Sequence, residues 1–358
     1  MFDRLFSKKK KITSPFHITD HVLYRYHSFV NDALSVTVPD GVTEIAGFAF
    51  ESCNRIEQIT IPAGVRTIGE GAFAGCRSLR SVKLPSTLET IEKDAFAHCS
   101  SLRAIHVPDG VVRMGEGVFR ECVMLRDIRL SAELTQIPAQ AFSGCKQLSE
   151  IAFPKRLLGI QERAFQNCKA LTEITFPAGL RMIYPGAFSN CKALRSVTFA
   201  ERIETIDKEA FNSCLNLEEM LFLHRQGCLT LHNPHMRRQA GMIAEFLRRP
   251  STSQLNWMHA HCAIGLMMEF VGELFLQYPV FEDYLHDFGD RFGRFLIEAE
   301  DSERLLELLK TDWLSDEGKR SMLDYAIEHT QSGGSAEPQM LMMRFVQPKD
   351  APAARFRL

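Results

Sequence analysis

Residues 76–99, CRSLRSVKLPSTLETIEKDAFAHC, decide the fold. Val82 and Leu84 alternate with Ser81 and Lys83, the period-two pattern of a strand with one buried face. Pro85 follows, and because proline has no N–H to give, it ends the ladder. Leu88 and Ile91 stand three apart. Ala95-Phe96 suits a single helical turn: the alanine allows close approach and the phenylalanine fills the width of a coil. Cys99 closes the unit 23 residues after Cys76.

The same interval runs through most of the chain. Cysteines fall at 53, 76, 99, 122, 145, 168, 191 and 214. Phe50, Phe73, Phe96, Phe119, Phe142, Phe165, Phe188 and Phe211 each stand three residues earlier. Seven of the eight residues before those are alanine, with Val118 the exception. A period this strict marks a tandem array, to be read by column. Val36, Val38, Pro39, Val42 and Ile45 open it with a half-unit, so the array holds about eight and a half repeats. Asp40-Gly41, Ala63-Gly64, Asp109-Gly110 and Ala178-Gly179 follow the prolines and supply turn chemistry. No unit buries its apolar face alone, so stacking must form the core.

These columns, L-x-x-V-x-L-P-x-x-L-x-x-I-x-x-x-A-F-x-x-C over about residues 31–223, resemble the BspA-like (treponemal-type) leucine-rich repeats. The resemblance implies an α/β solenoid: a right-handed leucine-rich-repeat coil with a parallel strand face. Members are often bacterial surface proteins that bind host or matrix proteins, and that role is implied for this chain if it is exported by a route the sequence does not display. Residues 1–30 read as an N-terminal tail and cap, 31–223 as the solenoid, and 224–358 as an all-α C-terminal domain.

Near His224 the period fails and longer apolar patterns begin. Helices are expected at 234–248, 253–277, 280–298, 302–310, 316–330 and 337–346, with Ser302 able to cap the fourth. Helix 253–277 is apolar over most of its circumference, through Ile264, Leu266, Met267, Met268, Phe270, Val271, Leu274 and Phe275. It is either the centre of its domain or the cover for the exposed end of the solenoid, since terminal coils need a polar cap. Met322 to Glu328, a Gly333-Gly334 turn and Met340 to Met343 weakly resemble an ankyrin-type helix pair.

Composition excludes some functions. Formal net charge over 358 residues is −2, so no global field points to nucleic acid or a membrane surface. Lys8 to Lys11 form one basic run, read as a solvated tail. Basic residues near Met1 lead into polar sequence rather than an apolar stretch, and no apolar window reaches membrane-spanning length. Cytoplasmic residence and no membrane insertion are therefore expected. Eight thiols in one column behave best as small buried hydrophobes, each a weak S–H donor to a neighbouring turn carbonyl.

Candidate chemistry is thin. His224, Cys228, His232 and His235 have spacings that zinc could use, with His259, His261 and Cys262 downstream. The paired C-x-x-C of structural zinc is missing, so no metal and no cofactor are expected. Neither a Gly-rich phosphate loop nor a nucleophile elbow is present. The chain is expected to be a non-catalytic module that binds a protein partner. The alternative is an enzyme whose active site lies unrecognised in residues 224–358.

Outward strand residues mark where a partner would sit. Arg80, Arg103 and Arg126 share one column, and Lys83, His106 and Arg129 another. Later repeats carry Glu150, Glu173, Glu218 and Glu219. The face is thus basic in repeats two to four, where an acidic partner surface can dock, and more acidic beyond.

Overall fold

The computed structural model describes residues 14–27, 34–224, 227–232, 236–262 and 264–346. The Lys8 to Lys11 run and His235 lie outside them. The chain forms two compact units, 1–248 and 249–358, so residues 224–248 belong with the solenoid.

Most coils of the first unit carry two short strands and one turn. The front strands Ser35–Thr37, Gln58–Thr60, Ser81–Lys83, Ala104–His106 and Asp127–Arg129 pair in sequence order as one parallel sheet. The back strands, two residues each from Glu44–Ile45 to Thr205–Ile206, form two further ladders on the opposite side of the coil. Front pairing lapses at residues 149–152, where the sequence pattern leads one to expect a strand. It resumes with Glu173–Thr175, Ser196–Phe199 and Glu219–His224. The lapse coincides with a change in the column of Leu84: Leu130 gives way to Phe153, Phe176, Phe199 and Phe222, and Phe153 sets its ring edge against Phe165 at 5.7 Å.

The core follows the columns. From Phe50 to Phe211 the rings stack at centroid separations of 4.9–5.6 Å and interplanar angles of 0–19°. This offset stacking contributes beyond area burial, and all eight rings are buried. Two positions per coil adopt left-handed backbone. One column runs through Asp94, Gly117, Gln140, Arg163 and Gly186 at φ 51–64°, the other through His98, Glu121, Gly144, Asn167, Asn190 and Ser213 at φ 56–79°. Most of these are not glycine. The strain, of order 1–2 kcal/mol per residue, is held by hydrogen bonds to the next coil, from Asp94 through Arg163 in the first column and from His98 through Asn190 in the second.

Both ends of the array are covered. At the start, Phe16–Thr19 and Val22–Tyr26 form an antiparallel hairpin. Its turn residues Asp20 and His21 both have positive φ, which matches the right-handed strand twist. Tyr26 stacks on Phe50 at 5.1 Å and extends the ring pile by one. At the far end, Gly227–Leu231 turns back antiparallel on Glu219–His224. Helix α1 (Met236–Arg248) packs on Thr205–Ile206 and Glu219–His224. The contact is close: a Cβ on Gly241 would stand 2.2 Å from the Ile206 carbonyl oxygen.

The second unit is helical: α2 (Thr252–His261), α3 (Ile264–Leu274), α4 (Phe281–Glu298), α5 (Ser302–Lys310), α6 (Asp316–Gln331) and α7 (Glu337–Met342). The single helix expected at 253–277 is therefore two. Cys262 sits between them in extended conformation, its N–H returning to the Met258 carbonyl. Asp301, not Ser302, caps α5, accepting the Arg304 N–H at 3.1 Å. Arg304 also reaches Glu273 at 2.7 Å and so ties α5 to α3. Helix α4 packs against α2, α3, α5 and α6, and α7 against α5 and α6. No described helix is long and apolar enough to cross a membrane.

Candidate functional site: the front strand face

Strand alternation turns Val82, Ile105 and Ile128 inward and leaves their neighbours to solvent. Register pairs Thr60 with Lys83, Ser81 with Ala104, Ala104 with Asp127, and His106 with Arg129. Residues 23 apart thus face each other across one strand spacing of about 4.8 Å. Arg80, Arg103 and Arg126 each precede a strand, and their backbones are linked. The Arg103 N–H donates to the Arg80 carbonyl at 3.2 Å, and the Arg126 N–H to that of Arg103 at 3.0 Å. The structure thus brings the six basic residues singled out above onto one face, and all six are exposed.

Their charge is incompletely answered. Arg80 pairs with Glu57 at 3.3 Å, and Arg129 with Asp109 at 3.6 Å. Arg126 donates to the Gln147 side-chain oxygen at 3.1 Å. Among the described residues, neither Arg103 nor Lys83 has an ion-pair partner, and Asp127 pairs with none of the six. Some cations elsewhere on the coil are paired. Arg66 pairs with Glu89, Arg156 with Glu133, Arg113 with Glu92 at 2.8 Å and Arg181 with Glu204 at 3.4 Å. In each of these a carboxylate stands one coil away. Glu150, Glu173 and Glu218 are exposed further along the front face.

The cysteine column points the other way, into the coil. All eight thiols are buried and unbridged. From Cys76 on, each S–H donates to a Phe carbonyl of the preceding coil, as Cys76 does to Phe50 at 3.0 Å and Cys191 to Phe165 at 3.3 Å. Burial pushes Cys53 up to about 11 and Cys122 up to about 12, and Cys76, Cys99, Cys145, Cys168 and Cys191 well up. Such thiols are poor nucleophiles and poor metal ligands. In the last coil the direction reverses at Cys214, because the hydrogen bond with Cys191 and then the Arg237 charge favour its thiolate.

In the helical unit His259 meets Tyr284. Imidazole Nδ1 lies 2.8 Å from the Tyr284 hydroxyl, and the ring stacks on Phe288 at 4.1 Å. Burial, then the Arg291 charge, pushes His259 down, and burial pushes Tyr284 up. A cleft of about 280 Å³ in the same unit is lined instead by His286, Asp287, Asp290, Ser315 and Glu317. Neither His259 nor Tyr284 is among the residues lining this cleft. Among the described residues, no three His, Cys, Asp or Glu side chains come together as a metal site, so His224, Cys228 and His232 form none.

A family model for the BspA-type leucine-rich repeat region matches residues 24–146 and 114–226, six copies in all. The chain therefore belongs to the BspA-type leucine-rich-repeat family, whose members are generally protein-interaction or adhesion modules. Several solved structures are similar over the repeats. A leucine-rich repeat protein from Bacteroides ovatus is 21% identical, covering 60% of this chain and 68% of that one at a TM-score of 0.40. The T. pallidum leucine-rich repeat protein is 25% identical over 60% and 81% of the two chains, with a TM-score of 0.32. A leucine-rich cell surface protein from Faecalibacterium prausnitzii is 25% identical over 52% and 72%, with a TM-score of 0.29. A search of curated proteins finds no match.

Proposed function

We propose that the chain is a non-catalytic interaction module that captures an acidic surface of a protein partner on repeats two to four, through Arg80, Lys83, Arg103, His106, Arg126 and Arg129. One observation carries the reading. Three successive coils gather six exposed cations on one strand face, and Arg103 and Lys83 have no ion-pair partner among the described residues. Like charges a strand spacing apart repel, and an acidic partner relieves that cost. Exposed charge of this kind favours encounter rate and specificity over raw affinity.

The test compares wild type with the double reversal Arg103→Glu and Arg126→Glu. Both chains are used to capture proteins from the native lysate at low and high salt. The wild type should retain an acidic protein that the double variant loses, and retention should weaken as salt rises. Equal capture by both chains sinks the reading and moves the binding surface off repeats two to four. The same face serves a cytoplasmic partner or, if the protein is found on intact cell surfaces, an adhesive one.

A further inference from the structure

A solenoid made of one repeated hydrogen-bond pattern has an unanswered end, and here that end is specific. In seven successive coils the N–H of the column phenylalanine donates to the carbonyl one coil on. Phe50 donates to Ala72, and so on to Phe188 and Ala210, at 2.7–2.9 Å. Two residues later a second donor repeats the pattern, from Ser52 to Ala74 through Asn190 to Asn212, at 2.7–2.9 Å. The eighth coil keeps the left-handed backbone of the second donor column, with Ser213 at φ 60° like its counterparts. One ladder donor there, the Glu209 N–H, is answered by the Asp207 carboxylate at 2.8 Å. For the N–H groups of Phe211 and Ser213 no acceptor is found among the described residues, although Phe211 is fully buried.

A cleft of about 530 Å³ opens at that point, lined by Lys208, Phe211, Asn212, Ser213, Leu215, Arg237 and Arg238. Three of its lining side chains are cations and none is a carboxylate. Arg237 is anchored over the coil by a hydrogen bond from its guanidinium to the Cys214 carbonyl. Lys208 and Arg238 have no ion-pair partner among the described residues. A buried N–H without an acceptor costs about 1–3 kcal/mol, and converging N–H groups beside cations are how backbones hold oxyanions.

We propose that this open end of the ladder binds a phosphate group, taking its oxygens in place of the two carbonyls that a ninth coil would bring. Three cations suit a dianion better than a singly charged carboxylate. The cleft is larger than a phosphate alone, and Leu215, 70% exposed on its wall, offers an apolar surface to an ester group. The site is separate from the front strand face, and its test does not depend on that reading.

The experiment follows the Phe211 and Ser213 amide resonances of the full-length chain on addition of phenyl phosphate, inorganic phosphate, benzoate or chloride at matched ionic strength. Both phosphates should shift these two amides saturably, and benzoate should bind at least tenfold more weakly. Tighter phenyl phosphate identifies an ester as the source, equal strength identifies free phosphate, and either supports the site. Lys208→Glu with Arg238→Glu should weaken phosphate binding at least tenfold, while Arg103→Glu with Arg126→Glu leaves it unchanged. Equal shifts with chloride, or unchanged binding by the Lys208/Arg238 variant, overturn the proposal. So does slow hydrogen exchange of both amides without any anion, since that would show that the chain itself supplies their acceptors.

Discussion

The two units solve the same problem, burying apolar area, in opposite ways. In the solenoid each core side chain meets copies of itself: Phe96 touches Phe73 and Phe119, and Cys99 stands one coil from Cys76 and Cys122. In the helical unit each contact is unique, as where α4 and α6 cross with Gly293 against the end of Met322. Repetition makes stability a sum of neighbouring terms, so a property present in one coil is multiplied along the array. Unique contacts multiply nothing. Both tryptophans, Trp257 and Trp313, belong to the helical unit, so their fluorescence reports on the folding of that unit while circular dichroism follows both.

Alkali should separate the units most. A thiol held neutral in the fold and free to ionise when unfolded gives up a proton on unfolding. Its contribution is therefore whole below the ordinary thiol value of 9.0 and is lost as pH climbs toward the folded values, about 11 for Cys53 and about 12 for Cys122. Each such thiol costs about 1.4 kcal/mol per pH unit across that window, and seven are raised. Between pH 8 and 10 the denaturant midpoint read by circular dichroism should fall well ahead of the midpoint read by tryptophan fluorescence. Midpoints that move together would break the comparison.

Truncation tests where the solenoid ends. A chain stopped at Arg248 keeps the Gly227–Leu231 strand and α1, and it should remain monomeric in size-exclusion chromatography. One stopped at Leu223 bares the last coil and should aggregate. A monomeric, folded chain ending at Leu223 would show that the cover is dispensable.

Phe119→Ala lies mid-array with rings stacked on both sides. It should lower stability by about 3–5 kcal/mol in urea melts followed by circular dichroism, and an unchanged melt would remove the ring column from the core. Gly241→Ala should cost less, about 1–3 kcal/mol, because backbone rather than a flexible side chain meets the new methyl. The comparison of its melt with that of the chain ending at Arg248 reports how firmly α1 is seated. Arg103→Glu with Arg126→Glu should change stability least, by about 0.5 kcal/mol or less, even though capture is lost. A large stability loss would make the stripe part of the fold rather than of a binding surface.

Much of this architecture was legible before any coordinates. Phe50, Cys53 and their copies fixed the coil, its length and its core columns, because a 23-residue period is written along the chain and needs no partner from elsewhere. The six basic residues were placed on one face by strand alternation alone. Other features were hidden for physical reasons. The left-handed columns escaped notice because Asp94, Gln140 and His98 do not advertise positive φ as glycine does. Their conformation is set by ladder bonds to the next coil. The second aromatic column, from Phe153 to Phe222, was masked by ordinary hydrophobic variation, and the lapse of the front strand at 149–152 shows only when the coils are stacked. In the helical segment no proline stands between Pro250 and Pro279, so no strong breaker marks the end of the helix at Cys262.

The sequence by itself determined the repeat, the buried phenylalanine and cysteine columns and the exposed basic stripe, since each follows from spacing within one coil and the rule that identical coils stack. Tertiary structure alone decided which charges on the surface find carboxylates, where the array stops, and which backbone donors are left over when it does. Those are properties of ends and neighbours. Arg66 and Glu89, or Phe211 and the missing ninth coil, acquire their meaning from what stands one coil away, and a linear pattern does not record an absence in space.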